Sequence, residues 1–84
     1  MKKRKLLAAI LQSQKNVRFH DMTALVVAFG FRLERMSGSH HIFVHDSIPE
    51  LVNLQNVHGE AKPYQIKQFL SLIERYNLTL EDEL

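Results

Sequence analysis

Residues 31–59, FRLERMSGSHHIFVHDSIPELVNLQNVHG, decide the fold. Phe31 to Met36 alternates, with Phe31 and Leu33 on one side and Arg32 and Glu34 on the other, as a half-buried strand does. Ser37-Gly38-Ser39 is a turn. His40 to Asp46 alternates again, with Ile42 and Val44 on one face and His41, Phe43 and His45 on the other. Ser47-Ile48-Pro49 turns the chain once more, and Glu50 to Val57 supplies a third strand. Connections this short join antiparallel neighbours, so a three-stranded antiparallel meander is expected.

On the upstream side, Met22, Leu25, Val26 and Phe29 recur at helical spacing. Asp21 is placed to cap that helix and Gly30 to end it, while the β-branched pair Val26-Val27 weakens it slightly. Downstream, Pro63 suits a first helical turn, Ile66, Phe69, Leu70 and Ile73 carry the period to Tyr76, and Asn77 can stop it. Residues 2–14 set Leu6, Leu7, Ile10 and Leu11 on one helical face, which needs a partner: the core or a second copy of the chain. From Leu78 the tail is expected to be loosely held, and from Glu81 frayed. The expected class is α+β in a single domain covering 1–84. A compact α-β-β-β-α core carries its helices on one face of the sheet, and residues 2–14 add an extra N-terminal helix.

Eighty-four residues make a thin core, so a surface site for a polymer is expected rather than a deep enclosed one. Without cysteine, disulfide frameworks, thiol nucleophiles and thiolate zinc sites are excluded, and a reducing compartment fits. The net charge is +2, but three of the nine acids are Glu81, Asp82 and Glu83. Residues 1–80 therefore carry eleven basic against six acidic residues, a balance of +5, beginning with Lys2-Lys3-Arg4-Lys5. That sign suits a phosphate backbone, although charge runs also serve solubility alone. No apolar run approaches the ~20 residues of a membrane span. Leu6 to Leu11 is short for a signal peptide and lacks a small-residue cleavage site after it, so a cytoplasmic protein is expected.

Five histidines stand in the chain, three of them in one strand. His40 and His41 are neighbours and point to opposite faces, while His41 and His45 share a face about 13 Å apart. No metal site is expected from them, because ligands sit within ~2.0–2.1 Å of an ion. If Asp46 pairs with Glu50, opposite residues sum to 96, His40 faces Asn56, and His40 and His58 lie diagonally on one side of the sheet. Lys62 and the N-terminus of the last helix follow directly, and Gly38 and Ser39 offer backbone N–H groups and a hydroxyl. A phosphodiester would fit among these groups. Cleaving RNA then needs a base for the 2′-OH and an acid for the departing 5′ oxygen, and imidazole does both near neutral pH. The plainer alternative is that these are ordinary polar strand and turn residues. His20 and His45 are read that way, and Phe43 as packing.

Four landmarks, Gly30-Phe31, Gly38-Ser39-His40, His58-Gly59 and Lys62-Pro63, fall in an order and spacing that resembles the HicA (YcfA-like) family of bacterial toxins over about residues 20–77. The resemblance implies a fold like a double-stranded-RNA-binding domain and an mRNA interferase activity held in check by a HicB-type antitoxin. It implies that His40 is catalytic, with His41 in reserve because some members place the histidine one position later. His58 matches a recurrent family position. The helix of residues 2–14 lies outside the family pattern, and Gln55-Asn56-Val57 lacks the proline that many members carry before the histidine.

The expectation is a metal-independent, cofactor-free endoribonuclease. His40 would be the acid or base, and Gly38, Ser39, His58 and Lys62 would hold the phosphate. A non-catalytic RNA-binding module of the same fold and a protein-interaction domain are the alternatives.

Overall fold

The computed structural model describes residues 2–80. In chain order the elements are α1 (Lys3–Gln12), α2 (Phe19–Ala28), β1 (Arg32–Ser37), β2 (His40–His45), β3 (Ile48–Val57), β4 (Glu60–Ala61) and α3 (Pro63–Tyr76). The strands form one antiparallel sheet in the order β1-β2-β3-β4. The α+β core with an added N-terminal helix is as expected, but the meander gains a short fourth strand. Glu60 and Ala61 pair with Val57 and Asn56 around a two-residue turn. Arg18 bridges to Glu60, and the Ala61 N–H donates to the Val17 carbonyl, so the connector before α2 continues the sheet past β4.

That bridge corrects the expected start of α2. The helix begins at Phe19, and Arg18 at its N-cap makes no side-chain cap. The Phe19 N–H donates instead to the Gly59 carbonyl at 2.8 Å, so a tertiary bond satisfies one of the free donors at the helix end. Asp21 takes the Arg18 Nε at 3.3 Å. The apolar stripe behaves as its spacing requires: Met22, Leu25, Val26 and Phe29 are all buried. In α3, Ile66, Phe69 and Leu72 are buried, and Asn77, left-handed at φ 51°, ends the helix.

Leu6 and Ile10 of α1 join the same core, so the core rather than a second copy takes up that face; Leu11 stays exposed. Each of those two burials contributes on the order of 1.5–3 kcal/mol. Leu78 and Leu80 also pack against the core, and the Leu78 N–H donates to the Ile73 carbonyl, so the tail is held at least that far. The expected fraying from Glu81 lies outside the described residues. Phe69 anchors the centre, with edge-on contacts to Phe29 and Phe31.

Where β2 leaves for β3, Arg32 pairs with Asp46 and the His45 Nδ1 accepts the Ser47 N–H at 3.0 Å. Close by, Glu50 receives Arg75 Nη1 and the Tyr76 hydroxyl, each at 2.6 Å, tying β3 to the end of α3. The Tyr76 hydrogen bond, helped by Arg75, holds the Glu50 carboxyl below the usual carboxylate range, and Glu50 in turn pushes the Tyr76 phenol up. Among the described residues no helix is long and apolar enough to cross a membrane.

Candidate functional site

Two tight turns meet at the other end of the sheet. Ser37 and His40 bracket Gly38-Ser39, and Val57 and Glu60 bracket His58-Gly59. Gly38 has φ 59° while Ser39 stays on the ordinary side, the pattern of a type II′ turn. His58 and Gly59 have φ 53° and 85°, the pattern of type I′. The turns are joined, because the Asn56 N–H donates to the Ser39 carbonyl at 3.0 Å and the Asn56 Oδ1 accepts the Gly59 N–H at 2.8 Å.

The β2–β3 register differs by one residue from the expected one. Asp46 and Ser47 form the turn with His45 opposite Ile48, and an irregularity between Phe43 and His45 shifts the pairing. Beyond it Phe43 faces Val52, Ile42 faces Asn53 and His40 faces Gln55, not Asn56. Since a one-residue slip exchanges faces, His40 shares its face with Asn53 and Gln55. His58 stands beyond the strand on the neighbouring turn. The β1–β2 hairpin thus brings Gly38, Ser39 and His40 together, while His58 stands on the β3–β4 turn and Lys62 follows β4, two strands away from β2.

His40 lies half-buried on the face without helices, its Nδ1 3.1 Å from the Asn53 Oδ1. A ring that donates from Nδ1 to that oxygen carries its lone pair on Nε2. Ser39 Oγ accepts from the Gln55 Nε2 at 3.2 Å, and the buried Gln65 of α3 accepts the Gln55 N–H at 2.7 Å. Arg35, opposite Ile42 in the next row, places an exposed guanidinium on the same face. Asn53, Gln55 and Arg35 were not singled out from sequence. Correct pairing sums would have found them, but two bulges hide those sums.

His41 faces the other way, opposite the buried Leu54. Its ring meets the edge of Phe19 at 4.7 Å, and its Nδ1 is shut from solvent with no hydrogen-bond partner. It borders an open cavity of about 720 Å³ between α2 and the β1–β2 hairpin, which Lys3 of α1 also reaches. His20 is exposed on α2 at the rim of that cavity. His45 is occupied with its turn and with Phe31. Lys62 precedes Pro63 at the start of α3, its Nζ 5.8 Å from the Tyr64 ring centroid. Among the described residues no three His, Asp, Glu or Cys side chains converge as a metal-ligand set.

Residues 19–74 match the family model described as HicA toxin of bacterial toxin-antitoxin. Searches of curated proteins and of solved structures returned no match to the chain. The matched stretch runs from the first residue of α2 through the whole sheet and most of α3, well over half of the chain. On that match, and on landmarks that fall at the two turns just described, the chain belongs to the HicA family of bacterial toxin–antitoxin toxins.

Proposed function

We propose that the chain is a metal-independent endoribonuclease that cuts mRNA in the cytoplasm through the His40 imidazole, and that a HicB-type antitoxin holds it inactive. The observation that carries the reading is the His40 ring itself. It stands half-buried at the mouth of a hairpin, gripped at Nδ1 by Asn53, with Nε2 free to exchange a proton. The family match supports the toxin role.

The chemistry asks little more of the protein. A base takes the 2′-OH proton, the 2′ oxygen bonds to the adjacent phosphorus, and the bond from phosphorus to the 5′ oxygen breaks. An acid then protonates that oxygen, giving a 2′,3′-cyclic phosphate and a free 5′-OH. His40 serves as one of the two proton carriers, and His58 on the adjoining turn is the candidate for the other. Gly38 and Ser39 offer the phosphate backbone N–H groups and a hydroxyl, and Lys62 and Arg35 offer positive charge. His41 remains the reserve residue.

The test is incubation of a defined RNA in EDTA with wild type, His40→Ala and His41→Ala, followed by analysis of the product ends. Cyclic-phosphate ends from wild type, lost in His40→Ala, support the proposal. Loss in His41→Ala alone moves the chemistry to the other face. Binding without cleavage by wild type points to an RNA-binding module, and neither binding nor cleavage points to a protein-interaction domain.

A further inference from the structure

The 720 Å³ cavity lies within the size range of small-ligand sites, and of the residues in the cleavage scheme only the reserve His41 borders it. Phe19, Val27 and Phe43 give it apolar walls. Val27 is 53% exposed, unusual for a valine flanked by core residues. The polar groups are few, and the Thr23 hydroxyl is already spent on the His20 carbonyl. His41 Nδ1 is hidden from water without a partner, and such atoms in folded proteins are normally bonded. Asn56 has its oxygen committed to the Gly59 N–H, which leaves its amide NH₂ to donate. Lys3 supplies positive charge, and no carboxylate lines the cavity. Apolar walls, aromatic rings, one free amide donor and a cation together describe a planar heteroaromatic ligand carrying an anion.

We propose that this cavity is a nucleotide subsite, which seats one base of the RNA among Phe19, His41 and Val27 and reads its edge with the Asn56 amide while Lys3 neutralises a phosphate. Stacking on aromatic side chains with hydrogen bonds to a splayed base is how proteins usually read single-stranded RNA. Asn56 and Gly59 border the cavity and belong to the same end of the sheet as Ser39, so one strand can pass from the His40 face around the turns into it. The inference rests on the reading of RNA as substrate. It also gives α1, outside the family match, a task, because Lys3 is its first residue.

The experiment titrates the full ¹⁵N-labelled chain with each of the four ribonucleoside 5′-monophosphates and follows amide shifts. The expected response centres on Phe19, Val27, Asn56 and Gly59. Lys3→Gln should weaken binding by about tenfold, as loss of one charge-assisted contact does. Val27→Trp, which fills the cavity from an exposed helix position and can be checked for folding by its spectrum, should abolish the response. In RNA cleavage the same variant should raise KM and spare kcat. Shifts confined to the His40–Asn53 face, or none with any nucleotide, overturn the proposal. So does a cavity that answers only to a protein partner. If wild type cleaves no RNA, the nuclease reading fails, yet the mononucleotide map still decides whether the cavity takes a nucleotide.

Discussion

His40 and His41 are successive residues in one strand, and they occupy two different chemical environments. His40 stands among Ser39, Asn53 and Gln55 on a face with no helix over it, with one ring nitrogen oriented by an amide. His41 lies under α2 against Phe19 and Leu54, with a ring nitrogen that no protein group satisfies. The residue type is the same, and strand alternation alone separates the environments. The face with solvent and a positioning partner suits proton transfer. The face with apolar walls suits recognition. On the proposed reading, two adjacent histidines would then serve catalysis and binding from one backbone segment, without either ring competing for the other's place.

The largest expected effect tests that division directly. His40→Ala should lower kcat for RNA cleavage by about 10²–10⁴-fold, the usual worth of a proton carrier, with an unchanged fold by circular dichroism. His41→Ala should act mainly on KM. If single-turnover rates show the greater loss in His41→Ala, the roles of the two faces are reversed.

Next comes stability, where the ranking inverts. Leu54, opposite His41, is fully buried, so Leu54→Ala should cost about 2–5 kcal/mol in urea unfolding. Asn53, opposite Ile42 on the other face, is exposed, and Asn53→Ala should cost no more than about 1 kcal/mol. Its effect should appear in kcat, because the His40 ring loses the group that orients it. Asn53→Asp, which keeps an acceptor at that position, should restore much of the rate. A mutation cheap for the fold and expensive for the rate is what the open face predicts.

A smaller effect is expected at the turn that separates the two histidines from β1. A Cβ added at Gly38 would meet no atom within 4 Å, so crowding is not the obstacle. The obstacle is φ 59°, which disfavours an L side chain by about 1–2 kcal/mol. Gly38→Ala should lower the urea midpoint accordingly, and D-Ala introduced at the same position by chemical synthesis should not. Equal losses from both would place the requirement in space rather than in backbone angle.

The helices were legible from sequence because their apolar stripes are long enough to repeat. Met22, Leu25, Val26 and Phe29 in α2 and Ile66 and Phe69 in α3 leave little choice of buried face. The Ser37-Gly38-Ser39 turn was legible because positive φ restricts residue type, whereas His58-Gly59 was legible only as a landmark of the resemblance and not as a turn. What sequence hid was set by bonds between distant segments. The cap of α2 comes from the Gly59 carbonyl rather than from Asp21, so no local signal marks where the helix starts. The two-residue strand β4 is too short to alternate. The β2–β3 register depends on a bulge near Val44, and no residue type there announces one. That single slip moved His58 out of the face of His40 and brought Asn53 into it.

The smallest expected effect lies at the end of the sheet away from both histidines, and it separates scaffold from site. Glu50 stands five residues before Gln55 on β3, about 16 Å at strand spacing. Its carboxyl is held low by the Tyr76 hydroxyl and then by Arg75. A carboxyl depressed in the folded state adds stability that is present above its unfolded value and is lost as pH falls through the folded one. The Tyr76 phenol is raised by the Glu50 hydrogen bond, so its contribution is present below the usual phenol range and is lost as pH rises through the elevated value. Both limbs fall outside neutral pH. This pair should therefore leave urea midpoints unchanged across it, with Glu50→Gln removing part of the acid limb and Tyr76→Phe removing the alkaline limb. Neither substitution should move the pH profile of kcat, since the clamp touches neither His40 nor Asn53. A kcat profile displaced by Glu50→Gln would mean that the two ends of the sheet are coupled, and that the His40 face is not poised by its own neighbours alone.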